Sequence, residues 1–186
     1  MAVDIQRRLF TCAEYETMLA AGILLEDDRV ELIEGEILQM SPIGSPHAGC
    51  VKRSNRTFSR LLQSRAIVSV QDPLFLNDIS EPEPDLILLR PRDDFYADSH
   101  PGPADVLLVV EVADASLGFD RRVKAPLYAR SGIAELWIVD LAGQAVEVYR
   151  RPAALGYQEV RRHQRGEPLG LLAFPDLSLT VAEILG

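Results

Sequence analysis

At 186 residues, with 47% hydrophobic and 25% charged content, the chain has the composition of a globular protein with room for one substantial core, and is too short for two ordinary domains without a clear linker. It therefore reads as one domain over residues 1–186, with no window near the roughly 18 apolar residues of a membrane span and no apolar signal-peptide core in the opening MAVDIQRRLF. The formal net charge of -9 excludes a uniformly basic nucleic-acid binder, and the two cysteines, Cys12 and Cys50, have no metal-binding spacing and fit reduced thiols in a cytoplasmic protein.

Thr11-Cys12-Ala13-Glu14 matches a capping box, which opens a short helix ending near Gly22. Arg29 to Met40 alternates apolar and polar residues about Glu34-Gly35 and reads as a hairpin. Its Glu31 is either a solvent-facing strand residue or part of a site. Pro46 suits the first turn of a helix reaching about Arg65, with Val51, Phe58 and Leu62 on one face and Arg53, Arg56 and Arg60 on the opposite one. From Ser41 to Gln71 there is no acidic residue, so this helix offers a local basic surface, either a solvated face or a phosphate-steering one.

Ala66 to Val70 and Pro73 to Asn77 read as a short strand and its extension, and the prolines of Glu81-Pro82-Glu83-Pro84 delay regular pairing until Asp85. The apolar run Leu86 to Leu89 follows. Arg90 to Asp105 is a long loop whose His100 has no evident partner. Val106 to Val110 shows no polar alternation and reads as a central strand covered on both faces, so Glu111 places a carboxylate where a charge is expensive. Leu117 to Ser131 has helical character, putting Asp120, Lys124 and Tyr128 at i, i+4 and i+8 on one face, with Pro126 expected to kink it just after Lys124 unless the helix begins near there. Glu135 to Leu141, Val146 to Tyr149 and Tyr157 to Arg162 read as further strands, and the tail as apolar covering with a last helix capped by Thr180.

Two carboxylates, Asp85 and Glu111, thus sit on neighbouring apolar strands, with Lys124 on the helix that follows. Such a pair repels itself unless a cation lies between, and a divalent ion with a nearby ammonium is the usual resolution. The pattern points to metal-dependent phosphodiester chemistry. Each carboxylate also has a structural explanation, such as an ion pair between Glu111 and Arg121.

The ordered segments RVELIEGEI, MSP with the following His47, EPEPDL, VVEV, Asp120 to Lys124, Tyr128 and Trp137 to Asp140 resemble the Uma family, long catalogued only as a domain of unknown function and assigned to the PD-(D/E)xK nucleases. The resemblance implies an α/β (α+β) fold: a mixed β-sheet flanked by helices in a restriction-endonuclease-like core, with an N-terminal helix and β-hairpin. It also implies an endonuclease acting on nucleic acid, with DNA the expected substrate, Asp85 and Glu111 holding Mg²⁺ or Mn²⁺, Lys124 assisting catalysis and Glu31 as a further acidic group. His47, Arg53, Arg56 and Tyr128 are the candidate substrate contacts, and a homodimer is expected. The chain departs from the superfamily's simplest pattern at Ala113, where a lysine would stand, and in the turn Asp114-Ala115-Ser116. Those departures and the acidic charge support a rival, a non-catalytic dimeric interaction protein that kept the fold.

Overall fold

The computed structural model describes residues 7–186, without the side chain of Glu26. Residues 1–6, most of the stretch read above as lacking a signal-peptide core, lie outside the described residues. No described helix is long and apolar enough to cross a membrane.

The capping box at Thr11 opens α1 (Cys12–Ala20), and both of its reciprocal hydrogen bonds are present. Helix α1 packs Cys12 and Tyr15 against Leu32 of a hairpin, β1 (Val30–Ile33) and β2 (Glu36–Gln39). The hairpin turns at Glu34 and Gly35, both with positive φ; a Cβ on Gly35 would meet Leu9 Cβ at 2.5 Å, so the turn requires glycine there.

Helix α2 (Ser45–Leu62) follows, with Pro46 in its first turn. The main sheet has six strands: β3 (Ile67–Ser69), β4 (Leu86–Leu89), β5 (Val106–Ala113), β6 (Glu135–Asp140), β7 (Ala145–Ala153) and β8 (Gly156–Gln164). Their spatial order equals their chain order. Only β5 and β6 pair in parallel, and a parallel neighbour needs a crossover, which the helical segment after β5 supplies. Residues 73–77 form no strand, as the flanking prolines leave only isolated bridges at Asn77–Ser80 and Leu32–Glu81.

Alternation along β5 divides the core. Leu108, Val110 and Val112 face Phe58 and Leu62 of α2, Trp137, and Ile184 of the closing helix α5 (Val181–Leu185). That layer includes a final hairpin, β9 (Pro168–Leu171) and β10 (Phe174–Thr180), so the tail is apolar covering as expected. Val109 and Ala113 face the opposite layer, with Ile87, Ile138, Leu127 and Tyr128. Glu111 falls between them and is the one charged residue on this strand.

The crossover is α3 (Leu117–Phe119), a π turn over Asp120–Lys124, and α4 (Ala125–Arg130). Pro126 does not break it. Proline lacks the amide hydrogen and its ring crowds the carbonyl four residues back, and a wider turn just before it relieves both demands. Gly132, with positive φ, ends the helix.

Candidate active site

Strands β4 and β5 set the two predicted carboxylates side by side. Leu86 pairs with Val110, so the next positions in that antiparallel register are Asp85 and Glu111. Asp85 is fixed from three directions: its Oδ2 accepts the Val112 amide at 2.8 Å and meets His47 Nε2 at 3.0 Å, and its Oδ1 accepts the Gln71 side chain at 3.2 Å. The hydrogen bond to Asp85 raises the pKa of His47 against the opposing effect of burial.

Glu111 is 3% exposed. Its Oε1 accepts the Tyr128 hydroxyl at 2.6 Å and lies 3.2 Å from Lys124 Nζ, which also lies 3.0 Å from Glu31 Oε2. One ammonium is therefore shared by two buried carboxylates. Burial pushes the Glu111 carboxyl up to about 8, although Lys124 pulls it down. Lys124 goes the other way: burial would lower it, but Glu111 and Glu31 outweigh that and hold the ammonium protonated. Tyr128 is raised well above its ordinary value by burial and then by the Glu111 charge, so its phenol remains a donor.

The π turn allows Asp120 and Lys124 to reach one cavity of about 450 Å³ that Glu31, His47, Asp85 and Glu111 also line. Asp120 accepts the Ser116 hydroxyl at 2.7 Å, so the departing turn Asp114-Ala115-Ser116 is built into the cavity wall. Ala113 is buried two residues beyond Glu111, on the same face, where Lys124 now brings the ammonium from the helix. Arg121 does not serve Glu111; it binds Glu147.

Of the other expected contacts, Glu31 is buried rather than solvent-facing, and its Oε2 accepts the Glu83 amide at 3.2 Å. Tyr128 touches Glu111 from within the core and does not line the cavity. Arg53 and Arg56 lie elsewhere, with Thr57, Arg60 and Glu183 around a second cavity of about 230 Å³. Gln71 was not anticipated. It lies just before Asp72-Pro73 and adopts positive φ, a conformation that no residue-type pattern announces.

The donor set suits a divalent cation. Six carboxylates line the main cavity (Glu31, Glu83, Asp85, Glu111, Asp114 and Asp120) against two permanent cations, Arg29 and Lys124. Hard oxygen ligands in excess over positive charge are what Mg²⁺ or Mn²⁺ take. Asp85 and Glu111 stand side by side in that lining.

The family model for Uma2, described as "Putative restriction endonuclease", matches residues 12–182. The chain belongs to the Uma2 family. A solved structure described as a "putative nuclease belonging to DUF820" from Anabaena variabilis shares the Uma2 chain's fold, with a TM-score of 0.72 over 95% of this chain and 97% of that one, at 16% identity. No curated protein matches the chain. The family's description places this Uma2 chain, at the level of class, among restriction-endonuclease-like nucleases, and the solved structure shares its fold.

Proposed function

We propose that this chain is a Mg²⁺- or Mn²⁺-dependent endonuclease that hydrolyses DNA phosphodiester bonds in the cavity between β1, β5 and the π turn. The observation that carries the reading is the side-by-side placement of Asp85 and Glu111, with Lys124 bridging Glu111 to Glu31. Asp85 and Glu111 would hold the cation, whose chemistry there would be to polarise a phosphate oxygen and lower the pKa of a water. Lys124 orients the attacking water and offsets negative charge on the pentavalent phosphate. Tyr128 fixes the Glu111 rotamer through Oε1, and His47 with Gln71 does the same for Asp85. Glu31 keeps the Lys124 ammonium aimed between the two strands.

The same acidic lining favours a second reading. A polyanion is repelled by this acidic lining unless cations are bound, so a non-catalytic interaction protein fits the metal-free cavity better. Either form as a homodimer has the exposed edge strand β8 available for pairing.

Calorimetric titration of Mn²⁺ into wild type, Asp85→Asn and Glu111→Gln decides between them. The nuclease reading expects one binding event that each substitution abolishes, together with Mn²⁺-dependent nicking of supercoiled DNA that disappears in step. Mn²⁺ binding indifferent to both substitutions favours the interaction protein.

A further inference from the structure

One cluster of titratable groups takes no part in this chemistry. Among the described residues, Glu16, Glu81 and His100 offer ligand atoms that all lie within 4.8 Å of one another. None of the three lines the cavity of Asp85 and Glu111. They come from separate parts of the chain: Glu16 from α1, Glu81 from the segment bridged to Leu32 of β1, and His100 from the long loop between β4 and β5.

Glu81 is the anchor. It is 3% exposed, and its Oε2 is buried with no hydrogen-bond partner. A carboxylate oxygen withdrawn from water and left unpaired is costly, and Glu16 makes matters worse by adding a second negative charge beside it. Among the described residues neither Glu16 nor Glu81 is paired with a Lys or Arg. A cation would satisfy the bare oxygen and the repulsion at once.

We propose that Glu16, Glu81 and His100 form a second divalent-cation site, suited to Zn²⁺, that ties α1 to the loop between β4 and β5. The imidazole decides the ion, because Mg²⁺ and Ca²⁺ take oxygen ligands while one imidazole with two carboxylates suits Zn²⁺. Zn²⁺ sits about 2.0–2.2 Å from each such ligand, so the three atoms must draw together. Glu16 and His100 are exposed and free to close on the fixed Glu81. Water fills the remaining position.

The site also has a structural consequence near the nuclease cavity. The Glu81 amide donates to the Leu32 carbonyl at 2.8 Å, and the Glu83 amide, two residues on, donates to Glu31. An ion on Glu81 therefore pins the segment that leads into Asp85, without itself entering the cavity.

The test uses tag-free protein carrying Asp85→Asn and Glu111→Gln, so that the nuclease cavity lacks the Asp85–Glu111 pair, stripped with chelator and titrated with Zn²⁺ by calorimetry. One Zn²⁺ per chain is expected, with binding weakened at least about tenfold by His100→Ala or by Glu16→Gln. Both substitutions lie at exposed positions, so the fold tolerates them. A rise in melting temperature with Zn²⁺ should accompany binding and vanish in His100→Ala. Should the double variant not fold, the same His100→Ala change in the otherwise native chain removes one bound equivalent. No binding at micromolar Zn²⁺, or binding that neither substitution weakens, overturns the site and leaves a water-filled polar niche; neither result bears on whether Asp85 and Glu111 bind metal.

Discussion

Two clusters of buried charge sit on the same sheet and are built on opposite terms. At the β6–β7 end, Glu147 accepts Arg121 Nε at 3.0 Å, Arg162 Nη1 at 2.7 Å and the Tyr149 hydroxyl at 2.8 Å, while Asp140 takes Arg162 Nη2 at 2.8 Å and the Gly143 amide at 2.7 Å. Burial raises the Glu147 carboxyl, but Arg121, Tyr149 and Arg162 overcome that and hold it below its ordinary value. At the β4–β5 end, Glu111 has one phenol and a share of one ammonium, and burial wins. Both carboxylates are buried, so burial alone does not mark a site. What differs is saturation: the first cluster is complete within the protein, and the second is left short of positive charge.

That contrast gives its largest effect in catalysis. Glu111→Gln should lower DNA cleavage by on the order of 10³-fold or more, the scale on which removing a group that stabilises transition-state charge is felt. Glu147→Gln should leave cleavage within about twofold, as its partners lie outside the cavity. Equal losses in the two variants, measured by plasmid nicking at saturating Mn²⁺, would erase the distinction.

Stability should invert the order. In chelator, Glu147→Gln is expected to cost about 1–3 kcal/mol by urea denaturation, since it leaves the part-exposed Arg121 without its carboxylate and Arg162 with Asp140 alone. Glu111→Gln removes a carboxylate that burial disfavours and keeps an acceptor for Tyr128 and Lys124, so it should be neutral or slightly stabilising.

The pH dependence separates them again. The folded pKa of Glu111, about 8, lies above its ordinary 4.5, so the folded state holds a proton that the unfolded chain releases. In chelator its contribution to stability is full below about 4.5 and is lost as pH rises through about 8. Glu147 has the opposite sign: its folded pKa is depressed, so its contribution is present at neutral pH and lost as pH falls below its ordinary value. Melting temperature against pH should flatten between about pH 4.5 and 8 in Glu111→Gln and below about 4.5 in Glu147→Gln.

Much of this was legible in the residues, and the unread part has physical causes. Glu111 announced itself because a charge interrupted an unbroken apolar run, and Lys124 and Tyr128 because helical spacing put them on one face. The π turn keeps those residues together in a different helix, and Pro126 falls in the first turn of the α-helical segment that follows it. Glu31 could not be settled from alternation, because the hairpin is covered by α1 on one side and by the cavity on the other. Arg53 looked like a phosphate contact from its place on a polar helix face, yet it reaches the Leu185 carbonyl and caps α5, a contact made across most of the chain's length. Gln71 depends on a backbone conformation, and Glu81 with His100 on a loop path, neither of which has a periodic signature.

The smallest effect tests how Glu111 is held. Tyr128 is fully buried and its hydroxyl has a single described acceptor, Glu111 Oε1. Tyr128→Phe keeps the ring packing and removes only that hydrogen bond, so folding stability should fall by about 1 kcal/mol. If the hydroxyl serves only the fold, Mn²⁺ affinity stays at the wild-type value. If it aims the carboxylate, affinity falls about tenfold, the range seen when a partner orienting a metal ligand is lost, and cleavage recovers as Mn²⁺ is raised. Recovery at high Mn²⁺ distinguishes a misaimed ligand from a missing one, because Glu111→Gln should stay inactive at any concentration.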